Sequence, residues 1–394
     1  MKLVKMSLAA VVAAGAISSV ASATPLEEAI KNVDVSGFAR YRYDSTTTKA
    51  ALNSVDTSEA SHRFTSYVDF KAALDDNFYG ILGLRYDSKD ISGDADGQTN
   101  VGVNDKGAED FGQTFNVRQF LLGYKAGNTT IQAGRQVVGT FFTDDMVGTG
   151  LKVLNSDITG LTLAAVAFDD LQNDPDIGSS NLGTFNNNLY GVAAIGSYDP
   201  VSFQVWYAVL SNVADLYAVE LATNFDVTSD LSLGLKGQYG GSSINSAFAK
   251  ANNADDADFW AIEASAEGFG VDFSAGYIDF SADKDKASVI SYEDAGSFIK
   301  PGEDLLNYTL FNGENKYWFV TAGYSFLEKF RVGVDYISGK NKTRNGEVEA
   351  SEIVYRASYD YSKKLNFQAW YSSIDKDSNN KDVDHFRFQA KYSF

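Results

Sequence analysis

Between residue 33 and Phe394, apolar side chains keep returning at every second position, and no helical period displaces that rhythm. In 383–394 the even positions read Asp, Phe, Phe, Ala, Tyr, Phe, and the odd positions read Val, His, Arg, Gln, Lys, Ser. From Phe386 onward one face is apolar and the other polar, the period of an extended strand. The pattern recurs in Phe330, Val332, Val334 and Tyr336, which alternate with Arg331, Gly333 and Asp335. It recurs again in Leu365, Phe367, Ala369 and Tyr371, and in Leu231, Leu233 and Leu235. A soluble β-sandwich also alternates. What separates the two cases is repetition over the whole chain without a hydrophobic surplus, the mean hydropathy being −0.21. A transmembrane β-barrel does this by turning apolar side chains to lipid and polar ones to a wet lumen.

Strands are predicted at 33–44, 61–74, 77–88, 113–126, 128–138, 150–155, 160–169, 188–199 and 201–211. The series continues at 214–226, 230–241, 257–267, 270–281, 315–326, 329–340, 351–361, 364–374 and 383–394, eighteen in all. Tight turns, as at Gly127, Pro200 and Ser362-Lys363, take turns with longer connectors at 45–60, 89–112, 139–149, 170–187, 242–256, 282–314, 341–350 and 375–382. Short turns on one side and long loops on the other are the outer-membrane layout. A sixteen-strand barrel is the alternative, turning on 150–155 and the two-residue connector Asn212-Val213.

The N-terminus agrees with export. Lys2 and Lys5 precede an apolar stretch from Met6 to Val20, and Ala21-Ser22-Ala23 forms a small-x-small cleavage site. Residues 1–23 therefore read as a signal peptide and 24–394 as the barrel domain. Loss of the two lysines takes the formal charge from −19 to −21. Such a balance argues against nucleic acid as a partner, since phosphate neutralisation needs clustered Lys and Arg. No cysteine is present, which excludes disulfides, thiolate metal sites and Cys nucleophiles. Of the two histidines, His62 falls on the outer parity and His385 on the lumenal one, with no recognisable nucleophile motif beside it. An enzyme is not expected, and catalytic residues are none.

Parity also assigns the lumen. Val35, Ala39, Tyr41 and Tyr43 face lipid, so Arg40 and Arg42 face inward. Phe64, Val68 and Phe70 face out, so Arg63, Asp69 and Lys71 face in. Leu82, Leu84 and Tyr86 face out, so Arg85 and Asp87 face in. Three consecutive strands thus present arginines to the lumen, as the basic wall of a constriction or as partners of nearby aspartates. Residues 160–169 are apolar on both parities, a pattern expected of a subunit interface.

Several blocks carry a family resemblance. LEEAIKNVDVSGFARYRYD (26–44), VGTGLKV (147–153), ITGLTLAA (158–165), LYGVAAIGSYD (189–199) and KLNFQAWYS (364–372) resemble the major outer membrane protein family of Campylobacter. VRQFLLGYKAGNTTIQAGRQ (117–136) is similar to a wider Gram-negative porin pattern, in which G-R-Q precedes the loop that folds into the pore. The resemblance implies an eighteen-stranded homotrimeric porin of the Gram-negative outer membrane. Its surroundings would be lipid and lipopolysaccharide, its assembly would use the barrel insertion machinery, and its cargo would be small hydrophilic solutes and ions. A substrate-specific channel and a surface adhesin or structural protein are the rival functions. By the porin pattern Arg118 and Arg135 join the basic wall, although strict alternation places Arg135 with outward Ile131 and Ala133. Asp144 and Asp145, on the loop after G-R-Q, would face that wall and set a transverse field. No cofactor is required, but the family's association with calcium makes Asp145, Asp176 and Glu293 the candidate ligands. The terminal aromatic Phe394 resembles the assembly signal of porins.

Overall fold

The computed structural model describes residues 33–49, 55–92, 115–173, 175–177, 182–283, 286–292, 296–307, 309–377 and 381–394. The signal-peptide segment 1–23 and Glu293 lie outside the described residues. Eighteen strands form one antiparallel sheet that closes on itself, in agreement with the strand count. They are β1 (Asp34–Thr48), β2 (Thr57–Ala73), β3 (Phe78–Ser92), β4 (Asn116–Ala126), β5 (Thr129–Val137), β6 (Val147–Asn155), β7 (Leu161–Leu171), β8 (Leu189–Tyr198) and β9 (Val201–Leu210). After β10 (Ala214–Thr228), β11 (Leu231–Ile244), β12 (Ala257–Gly268) and β13 (Val271–Ala282) comes a long connector. That connector holds a two-stranded ribbon, β14 (Ser291–Tyr292) and β15 (Thr309–Leu310). The barrel resumes with β16 (Glu314–Phe326), β17 (Phe330–Thr343), β18 (Gly346–Asp360), β19 (Leu365–Lys376) and β20 (Val383–Ser393).

Every barrel strand pairs with its sequence neighbours, and β1 pairs with β20 to remove the free edges. In lipid this closure is obligatory, because an unpaired backbone N–H or C=O has no water to bond. The seam runs to the last residue. Gly37 N–H donates to the Phe394 carbonyl and Phe394 N–H donates to the Gly37 carbonyl, each at 3.1 Å. Gly37 sits where a Cβ would lie 2.0 Å from the Tyr67 carbonyl, so a side chain there would force β1 and β2 apart.

The outer face is an apolar band. Phe64, Leu122, Leu151, Val192, Val205, Leu221, Leu235, Phe273 and Val332 all lie exposed. A water-soluble barrel would not leave so continuous an apolar surface bare. One connector differs from expectation. The predicted loop at 341–350 shrinks to Arg344-Asn345, because β17 and β18 stay paired beyond 340 and 351. Lys340 opposes Glu349 and Lys342 opposes Glu347 across that extension, so opposite charges hold the ribbon together.

The interior is divided. One half of the wall, from β7 to β13 with β16 and β17, turns apolar side chains inward: Phe168, Leu189, Trp206, Leu216, Phe259, Ile278, Phe280 and Phe319 are all buried. Three connectors fold in against them, contributing Phe141 and Phe142, Ile177, and Val289, Tyr292, Phe298 and Phe311 to the same cluster. Phe298 joins the parts, with ring centroids 5.1 Å from Phe141 and 4.8 Å from Phe259. This accounts for the inner parity of the strand that is apolar on both parities. Ala164, Val166 and Phe168 on the inner face of β7 belong to this cluster, so they seat an infolded loop.

Because the seam depends on both bonds at Phe394, deleting that residue should lower outer-membrane yield. It should also lower the temperature at which the unheated, compact electrophoretic form converts to the unfolded one. Unchanged yield and unchanged conversion temperature would show that closure does without the last residue.

Candidate functional site: a charged lumen

The other half of the wall is polar and basic. Arg40 and Arg42 on β1, Arg63 on β2 and Arg85 on β3 project inward, as the pleat dictates for their parity. Their shared centre is Asp87, only 3% exposed. It accepts from Arg63 Nε at 2.8 Å and Nη2 at 2.6 Å, from Arg85 Nη2 at 2.9 Å, and from Thr65 Oγ1 at 3.3 Å. A carboxylate held by two guanidinium groups offsets the cost of packing like charges side by side. Arg118 joins them through a β-bulge. Register jumps between Gly83 opposite Gln119 and Leu84 opposite Val117, which lets Arg118 and Gln119 both face the lumen while Val117 and Phe120 stay exposed outside.

The infolded loop at 139–146 meets this wall at its acidic tip. Asp145 Oδ2 accepts from the Tyr67 hydroxyl at 2.8 Å and lies 3.7 Å from Arg118 Nη2. Arg118 also donates to the Asp145 carbonyl at 3.2 Å. Tyr67 is sandwiched by cations, with Arg118 at 4.5 Å and Arg85 at 5.3 Å from its ring centroid. Behind the tip, Asp144 N–H donates to Asp176 Oδ2 at 2.9 Å, and Asp176 is buried. Carboxylate and guanidinium therefore face each other across the lumen side of β2 and β4.

A second infolded segment, Gly302–Leu305 of the long connector, reaches the wall from another direction. Glu352 on β18, fully buried, accepts the backbone N–H groups of Glu303, Asp304 and Leu305 at 3.1, 2.9 and 3.2 Å, and the Ser372 hydroxyl at 2.6 Å. Gly302 has φ +75°, and a Cβ there would meet Glu352 Oε2 at 2.3 Å, so the turn can seat only as glycine. Arg356 bonds Glu303, donates to the Gly302 carbonyl at 3.0 Å and reaches Asp335 at 2.5 Å. His385 lies between Asp304, at 3.0 Å from Nδ1, and Asp44, at 3.1 Å from Nε2. One carboxylate, one guanidinium and one imidazole thus pin the segment to the barrel.

Of the sequence-assigned residues, Arg40, Arg42, Arg63, Arg85, Arg118 and Asp145 share the lumen. Asp144 and Asp176 stand together behind the tip. Arg135 does not join them. It pairs with Phe120 and Thr149, and Phe120 is 68% exposed on the outside, so unbroken alternation along β5 carries Arg135 to the outer face. The bulge that rescues Arg118 has no counterpart between β5 and its neighbours. Residues not singled out from sequence are Tyr67, Glu352, Arg356, Arg387 and Lys391, while Glu303 and Asp304 stood out only as acidic residues of the long connector. An ionisable residue on lumenal parity, as Glu352 and Arg356 are, was the available signal. The partner loop residues were not readable from spacing.

A family model described as Campylobacter major outer membrane protein matches residues 1–394. The chain belongs to this family. None of the curated proteins compared with the chain matches it. Among solved structures, Pseudomonas aeruginosa OccK9 (OpdG) is similar with a TM-score of 0.71 at 16% identity, covering 93% of this chain and 99% of the other. Acinetobacter baumannii OccAB3 gives 0.69 at 11%, covering 92% and 99%. A BenF-like porin from Pseudomonas fluorescens Pf-5 gives 0.69 at 18%, covering 92% and 98%. At these identities the likeness is one of fold. Family and fold together make this a porin-type β-barrel channel of the Gram-negative outer membrane, not an enzyme.

Glu352→Gln should detach the Gly302–Leu305 segment, since an amide oxygen cannot replace a carboxylate accepting four donors. Hydrogen bonds to a charged group contribute about 1.5–3 kcal/mol each, so the expected result is a folded barrel with noisier, larger single-channel steps. Currents identical to the parent protein would show that the anchor is dispensable.

Proposed function

We propose that the chain is a general diffusion porin that prefers cations. What supports this most is the opposition of Asp145 to Arg118 and Tyr67, a fixed transverse charge pattern at the tip of an infolded loop. Low-dielectric walls focus such a field, which aligns dipolar solutes and disfavours apolar ones. The formal charge of −19 and the acidic connectors concentrate cations at the entrance. That attraction acts within a Debye length of about 8–10 Å at ordinary salt.

A divalent cation fits the chemistry of the loop tip. Asp145 and Asp176 offer hard oxygen donors of the kind calcium takes, and Glu293 would be the third. Among the described residues no three ligating side chains converge on one point. The ion would neutralise part of the acidic side and temper cation preference. The functional unit in this reading is a homotrimer. Support comes from the family and from exposed apolar side chains such as Leu163, Tyr190, Val192 and Tyr207 on β7 to β9.

Reversal potentials across a KCl gradient test these points together. Wild type should favour K⁺, chelation should increase that preference, and Asp145→Asn should reduce both the preference and the chelator response. All three effects should fade at high salt. Anion selectivity in wild type would overturn the cation reading, and indifference to chelator would overturn the metal.

A further inference from the structure

The outer face changes character abruptly along β16 and β17. Outward residues of β16, from the short-turn end, are Tyr324, Ala322, Val320 and Trp318, and then Lys316 and Glu314. Those of β17 are Phe330, Val332, Val334 and Tyr336, and then Ser338, Lys340 and Lys342. Trp318 packs on Tyr336 with ring centroids 5.3 Å apart, and Trp260 packs on Tyr277 at 5.3 Å. Such rings mark the edge of the apolar band. The charged residues lie immediately beyond that edge, on the side of the long connectors, at the level of the outer-leaflet headgroups. Unbroken pairing sets Asp279, Lys316, Lys340 and Glu349 in one row and Glu314, Lys342 and Glu347 in the next. Lys316 stands directly opposite Lys340, and like charges so placed are unfavourable. Lys316 lies 3.9 Å from Asp279 and Lys342 lies 3.8 Å from Glu314, both beyond hydrogen-bond reach, while Lys340 closes on Glu347 at 2.9 Å. The three lysine side chains are 45–47% exposed, and ion pairs so exposed hold weakly. Together with Glu314 and Glu347 they ring a recess of about 200 Å³.

We propose that this recess docks the phosphorylated sugar headgroup of an outer-leaflet lipid. A phosphate between Lys316 and Lys340 relieves their repulsion, and Lys342 offers it a third ammonium donor. A phosphate monoester carries more charge than a carboxylate, so it outcompetes the loose carboxylate contacts of these lysines. Glu314 and Glu347 then accept hydrogen bonds from the sugar hydroxyls. Acyl chains of the same lipid continue down the wall over Trp318, Val320 and Val332. A soluble phosphate gains the charged contacts alone, whereas a lipid gains the apolar ones as well, because the lysines sit directly above the band. The patch is not simply basic, since four carboxylates stand beside three lysines in the two rows. That balance favours a headgroup bearing hydroxyls beside its phosphate over one bearing phosphate alone. Four strands, β10 to β13, separate this face from β7 to β9, the side proposed above for the trimer, so the lysines look out on lipid.

Native mass spectrometry of the purified, folded barrel in detergent tests the site, with diphosphoryl lipid A as the probe. The parent protein should retain lipid A with a dissociation constant on the order of micromolar. Lys316→Gln with Lys340→Gln and Lys342→Gln should weaken retention about tenfold or more. KCl conductance of that variant should be unchanged, because none of the three lysines faces the lumen. Lys329→Gln with Lys363→Gln and Lys364→Gln removes the same charge from exposed positions at the short-turn end and should leave retention as it was. On the parent protein, dephosphorylated lipid A and phosphatidic acid should each bind less than lipid A. Equal retention of the first would overturn the role of the phosphate, and equal retention of the second the role of the sugar. Displacement of lipid A by glucose 1-phosphate at matching concentration would make the ligand a soluble sugar phosphate and overturn the lipid. No retention by the parent protein, or equal loss in the two triple variants, would overturn the site.

Discussion

Everything in this structure follows from the rule that backbone polar groups in lipid must find partners within the protein. β1 meets β20 along eleven registered positions, from Phe38 opposite Ser393 to Thr48 opposite Val383, and the terminal Phe394 completes the seam at Gly37. Closure fixes which parity faces lipid. Once that is set, Arg40, Arg42, Arg63 and Arg85 have no place to go but the lumen.

A wide barrel then has to be filled selectively. One half of the inner wall is apolar and is covered by infolded connectors, with Phe298 touching both Phe141 and Phe259. The other half is ionic and meets the infolded segments through charged contacts. The asymmetry makes a channel from a cylinder. Packing holds the plug on one side, and a few charge-assisted contacts tether its polar rim: Asp145 to Tyr67 and Arg118, Glu352 to three consecutive amides, and Arg356 to Glu303. These tethers are local and titratable or substitutable one at a time, whereas the aromatic cluster is cooperative. Loss of a tether should therefore alter conduction before it alters folding.

The charge arrangement also separates two kinds of arginine. Those bonded to aspartates shape the wall, because a guanidinium committed to a carboxylate has less to offer a passing solute. Arg40 and Arg42 donate instead to the neutral oxygens of Thr65 and Gln389.

The sequence by itself determined the class, the inward set on β1 to β3 and the lumenal place of His385, because a period of two encodes facing without knowledge of any partner; it left sixteen strands open beside eighteen, and the closed sheet decided for eighteen. Residues 160–169 it read only in part. Apolar character on both parities says that both faces are covered, but not by what, and here the inner cover is a loop folded from elsewhere in the chain. It left Arg118 and Arg135 in the same doubt, and only the fold parted them. A one-residue bulge in β4 turned Arg118 inward, while uninterrupted pairing of β5 carried Arg135 outward. The seating of Gly302–Leu305 on Glu352 was likewise decided by tertiary structure. Its two halves lie 47 to 49 residues apart. Only the folded path of the connector brings three amides onto one carboxylate.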